Sequence, residues 1–191
     1  MFFDPNDYKT PSILNPNNPA TAIPVRADFQ HDVNTPKVTH GKAVTIHWGL
    51  LGENGPGTVI RQSYFIEATT NDEKAKSAFA GTCKALGYTV PLVSLEQVDE
   101  WLSGMVATAN PVTLILEPDG KDENGDPSRY SRVKYVNKSD SGVTGATIRS
   151  DYSDLLEQMS AKADASFQRT QAAASASDGD LENAIGVGSG L

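Results

Sequence analysis

The chain has 191 residues, a net charge of −8 and a hydrophobic share of 38%. That length suits one domain of ordinary size plus tails, and the low apolar share implies that some of it is not packed. The overall field of so acidic a chain does not hold it to nucleic acid, so any such binding must use a local patch.

Residues 1–22 form an extended arm in this reading, because Pro5, Pro11, Pro16 and Pro19 stand among many asparagines. Such a density of proline, continued by Pro24 and Pro36, forbids helix and breaks up sheet pairing. Ile23 to Phe29 is a possible first strand, and the arm offers a route to a homo-oligomer. Lys42 to Leu51 then alternates Val44, Ile46, Trp48 and Leu50 against Thr45, His47 and Gly49. A glycine-rich turn at 52–57 leads into Thr58 to Ala68, with Ile60, Tyr64 and Ile66 on one face and Arg61, Ser63 and Phe65 on the other. The two segments make a hairpin.

Thr70-Asn71-Asp72-Glu73 fits a capping box, and Ala75, Phe79, Thr82 and Leu86 follow at helical spacing up to a stop at Gly87. A shorter helix starts at Ser94 and carries Val98, Trp101 and Leu102. Pro111 to Glu117 is apolar enough for a central strand. The polar loop from Pro118 to Pro127 joins it to a last strand at Arg129, which completes a second hairpin. Residues 139–170 are a linker and an amphipathic helix, from Tyr152 to about Phe167, with Leu155, Leu156, Met159 and Ala163 on its apolar side. Residues 171–191, mostly Ala, Ser, Gly and Asp, read as a disordered acidic tail.

Catalytic and metal signatures are missing. There is no phosphate-binding glycine loop, no paired Cys and no HExxH helix, so the expectation is no enzyme, no cofactor and no metal. Cys83, the single cysteine, reads as a small core residue and points to a reducing compartment. Asp122, Asn124 and Asp126 resemble a calcium loop, but Pro127 and Val133 stand where glycine and glutamate are needed. The start of the chain has no signal-peptide pattern and no stretch approaches the roughly 20 apolar residues of a membrane span. The expected setting is cytoplasmic.

The strongest functional signal is Arg129 to Val136, which gathers cations and rings within an acidic chain. As a strand it places Tyr130, Arg132 and Lys134 outward together and turns Val133 and Tyr135 inward. A face with a ring and two cations suits single-stranded nucleic acid; the plainer reading is an edge strand protected by charge. Most of the acidity lies elsewhere: residues 139–191 hold 3 basic and 8 acidic residues, against 10 and 12 in residues 38–138.

Three segments, "AVTIHWGLLGENGPGTVIRQSYFIE", "NDEKAKSAFAGTCKALGY" and "RYSRVKYV", resemble a family of bacteriophage single-stranded-DNA-binding proteins long described as a domain of unknown function. The likeness covers roughly 24–138 and is one of pattern and element order. It implies an α+β protein: an OB-like barrel of about five strands over 23–138, with one main helix against its end. It further implies binding of single-stranded DNA in phage replication or recombination. The binding residues would be Trp48, Arg61, Tyr64, Tyr130, Arg132, Lys134 and Lys138. The tail, with Asp178, Asp180, Glu182 and the apolar end at Leu191, would contact replication or recombination proteins. Two other readings compete: a phage structural or assembly protein without nucleic-acid activity, and an acidic DNA mimic.

Overall fold

The structure, a computed structural model, describes residues 2–7, 19–35, 38–52, 56–67, 72–118, 120–121 and 131–185. For residues 7, 32–35, 38–40, 72 and 170–185 it describes the backbone alone. The chain is α+β, and its described residues form five antiparallel strands and four α-helices. The strands are β1 (Pro19–Thr35), β2 (Val38–Leu50), β3 (Val59–Glu67), β4 (Val112–Pro118) and β5 (Ser131–Lys138). The helices are α1 (Asp72–Leu86), α2 (Val98–Thr108), α3 (Gly145–Asp151) and α4 (Ser153–Ile185).

The sheet order is β3-β2-β1-β4-β5, so β3 and β5 are its edges. Both expected hairpins are present, as β2–β3 and β4–β5. β1 is long and shared: Pro19 to Ala22 pair with β4, while Ala22 to Thr35 pair with β2. Bulges interrupt its register after Pro24 and near Val33. They correct the expectation that proline breaks pairing here. Pro19 is the first residue of the strand and Pro24 borders a bulge, the two places where a missing N–H costs least. The strand therefore begins well inside the expected arm.

The start of the chain is also part of the domain. Phe3 is buried, exchanges backbone hydrogen bonds with Leu92 and stacks on Phe79 at 5.2 Å. Phe79 in turn lies 5.3 Å from Tyr64 and 6.0 Å from Trp101. Around this aromatic chain, α1 and α2 cover the inner face of the sheet with Ala80, Cys83, Leu86, Leu102 and Met105. The sheet supplies Val44, Ile46, Trp48 and Leu50, the set that alternation selects. Gly87 ends α1 at φ 76°, with Tyr88 N–H bonded back to the Cys83 carbonyl, as a helix stop of this kind requires.

α4 lies across the opposite, outer face of β1 and β2. Met159 and Ala163 are fully buried there. A Cβ on Gly49 would come within 2.7 Å of Met159 Cε and 2.8 Å of Val25 Cγ1, so the bare backbone at Gly49 is what lets the helix approach. Lys162 donates to the Gly57 carbonyl at 2.9 Å. Beside this seat Arg26 Nε donates to both oxygens of Asp28 at 2.8 Å, and its guanidinium also pairs with Asp164 of α4. The same guanidinium lies 4.3 Å above the Phe167 ring.

The helical backbone of α4 continues to Ile185, past Phe167, through residues read from composition as disordered. Scarcity of apolar residues removes a reason to pack, but the alanine-rich run keeps high intrinsic helix propensity. Residues 186–191 lie outside the described residues.

Candidate nucleic-acid interface

Among the described residues β5 pairs with β4 alone, and its register breaks between Ile115 and Leu116. Val133 pairs with Leu116 and Tyr135 with Ile115, so Lys134 is the extra residue of a bulge. Before it the expected faces hold: Arg132 is exposed and Val133 packs on the core. Beyond it the alternation resumes out of phase. Val136 takes the inward place, packed on the core, while half-buried Tyr135 moves out of it. This corrects the expectation that Tyr135 points inward, since a bulge is invisible to a strict period of two. The outcome is that Arg132, Lys134 and Tyr135 gather, with Lys134 Nζ 5.7 Å from the Tyr135 ring centroid.

Glu117 of β4 joins the two cations. Its Oε1 accepts from Arg132 Nε at 2.9 Å, and its Oε2 lies 2.9 Å from Lys134 Nζ. Hydrogen bonding from Lys134, then from Arg132, holds the Glu117 carboxyl below its usual range. The same bond raises Lys134 above the ordinary lysine value.

Beside β5 a cleft of about 380 Å³ opens between β3, α1 and the strand's edge. Lys134, Tyr135, Val136 and Asn137 form one side, and Gln62 and Tyr64 the opposite one. The floor is a stripe of α1: Lys74, Ser77, Ala78 and Gly81, spaced i, i+3, i+4 and i+7, with Thr82 adjoining. Among the described residues lining it, Lys74 and Lys134 carry the only full charges, and both are positive. Sequence reasoning missed Lys74, Gln62 and Asn137. The available signal was the row of small residues following a lysine on one face of the helix.

Two expected base-stacking residues prove to be core. Trp48 is wholly buried, with its indole N–H donated to Gln62 Oε1 at 3.0 Å. Tyr64 is buried with its hydroxyl 2.7 Å from Thr82 Oγ1, and burial pushes its phenol well above the ordinary value. Both stand on the inward row of their strands, where a ring adds more by packing than by waiting for a ligand. Arg61 is exposed on the outer row of β3, and Lys138 is exposed at the end of β5. Tyr130 lies outside the described residues, as do Asp122, Asn124 and Asp126. Asp178, Asp180 and Glu182 fall on the helical backbone of α4, and Leu191 lies outside the described residues.

Cys83 is fully buried, and burial pushes its thiol up, as befits a core residue. Among the described residues no group of three or more His, Cys, Asp or Glu is placed to hold a metal, and no helix is long and apolar enough to cross a membrane. Compared with known protein families, with curated proteins and with solved structures, the chain matches none.

Proposed function

We propose that this protein binds single-stranded DNA, as an accessory of phage DNA replication or recombination. The observation that carries the reading is the β3–α1–β5 cleft, whose charged lining among the described residues is cationic in a chain of net charge −8. Arg132 stands beside it on β5. The strand order supports the same reading. The edges β3 and β5 approach each other and both pack on α1, so a pairing between them would turn the open sheet into a five-stranded barrel, with α1 and α2 between its third and fourth strands. An OB fold has such a strand order, with a barrel that is often only partly closed, and commonly binds oligonucleotides. The acidic end of the chain, with Asp178, Asp180 and Glu182, serves partner proteins in this reading, since its charge keeps it off DNA.

Phosphate neutralisation by Lys74, Lys134 and Arg132 makes the affinity fall as salt rises. Fluorescence anisotropy of a labelled thymidine oligonucleotide, titrated at low salt and then at increasing salt, tests this. Binding that weakens steeply with salt is the expected result. An oligonucleotide that stays free at low salt overturns the proposal.

A further inference from the structure

We infer that the β3–α1–β5 cleft is a base pocket, which takes one unstacked nucleobase of a single strand while Lys74 and Lys134 meet the flanking phosphates. The inference rests on the strand-binding reading and deepens it from a charged surface to a built site. Size is the first argument. At about 380 Å³ the cleft stands at the low end of ligand-sized pockets, with room for one base and its sugar.

The lining is the second argument. Ala78 on the floor and Val136 on the side are apolar, and Gly81, buried in α1, adds depth because it has no side chain. Gln62 and Asn137 bring amides, groups that match the edge of any base. Gln62 is already oriented: its oxygen accepts from the Trp48 indole, which leaves the NH₂ to donate. A buried tryptophan thus fixes a polar group in the cleft, so the pocket is organised before a ligand arrives. Tyr135 also lines the cleft, on the side of Val136 and Asn137.

Position is the third argument. The outer face of β1 and β2 is occupied by α4, whereas the cleft lies in the gap between the edge strands. A strand running along β5 meets Arg132 and Lys134 and can turn one base into the gap.

The test compares a labelled thymidine oligonucleotide with one of the same length built from abasic residues, by anisotropy on the full chain at low salt. The abasic strand is expected to bind at least about tenfold more weakly, the scale of one buried base contact. Ala78→Phe fills the cleft from an exposed helix position, so the core is not asked to change. It should bring the intact strand down to the abasic level. Equal affinity of wild type for both strands, or full binding of the intact strand by Ala78→Phe, overturns the pocket and leaves strand binding standing. Failure of wild type to bind either strand overturns both readings.

Discussion

Asp28 and Glu117 are each held between two basic side chains, yet one lies beneath a helix and the other in solvent. Asp28 sits between Arg26 and His47, with His47 Nε2 3.3 Å from Oδ2, a close contact outside hydrogen-bond alignment. Glu117 sits between Arg132 and Lys134 on the exposed side of β4 and β5. Both carboxyls titrate below the ordinary range, for different reasons. For Asp28 burial is the largest influence and acts upward, and it is outweighed by the contacts with His47 and Arg26 together. For Glu117 the bond from Lys134 comes first, and desolvation is secondary. The difference teaches that one contact can have two uses. Where water is excluded, losing a partner strands a charge; where water is present, a phosphate can replace the carboxylate at little cost.

The sharpest way to break the contrast is Asp28→Asn. It leaves His47 buried and Arg26 with Asp164 alone, so it should cost roughly 3 kcal/mol, the low end for breaking a buried pair because Arg26 keeps one partner. Urea denaturation reads this directly, and a loss near zero would place Asp28 with the exchangeable kind. The pH dependence has a definite sign. A folded-state value below the ordinary 3.8 means the carboxylate contributes stability in full above about pH 5. That contribution disappears as pH falls through 3.8 to the folded value. Wild type should therefore lose its advantage over Asp28→Asn in acid, and the two denaturation midpoints should converge.

How far the sequence reveals this arrangement depends on the face of the sheet. Alternation along β2 picks out Val44, Ile46, Trp48 and Leu50 correctly, because a period of two reports which residues share a side. It also leaves Thr45 and His47 on what looks like a solvent face, and both are buried. A cover supplied from more than 100 residues away, by α4, leaves no local trace. Gly49 was legible only as a small residue in a strand, though it is the seat of Met159. The cations of β5 were legible as an outward pair, since Arg132 precedes the phase change and Lys134 is the bulge residue itself. Tyr135 and the α1 stripe were not, because a bulge and a cleft between edge strands are tertiary events. Trp48 and Tyr64 were ambiguous for a further reason: a ring that packs and a ring that stacks have the same sequence signature.

Gly49→Ala tests the cover itself. The added methyl meets Met159 and Val25 below 3 Å. Overpacking costs about 1–3 kcal/mol, while removing a strand glycine returns about 0.5–1, so the net loss should be about 1–2 kcal/mol. The double variant Gly49→Ala with Met159→Ala should show strong coupling between the two positions, measured as a double-mutant cycle. Additive losses would mean that α4 does not rest on Gly49, and the buried half of the comparison would lose its physical basis.

Glu117→Gln should have the smallest effect on stability and a clear effect on binding. Its pair with Arg132 and Lys134 is exposed, so the thermal midpoint should stay within error of wild type. The amide still fits between the two side chains but no longer neutralises them. Lys134, relieved of its carboxylate partner, is then free to meet a phosphate, and the local field beside the cleft turns more positive. Affinity for a thymidine oligonucleotide should rise several-fold at low salt and fall more steeply as salt increases, because more cations are available to displace counterions. A variant that is destabilised yet binds no better would reverse the assignment, making Glu117 a structural partner in the manner of Asp28. Tighter binding at unchanged stability identifies Glu117 as the group a DNA phosphate displaces, and the difference between the two carboxylates is then one of function as well as burial.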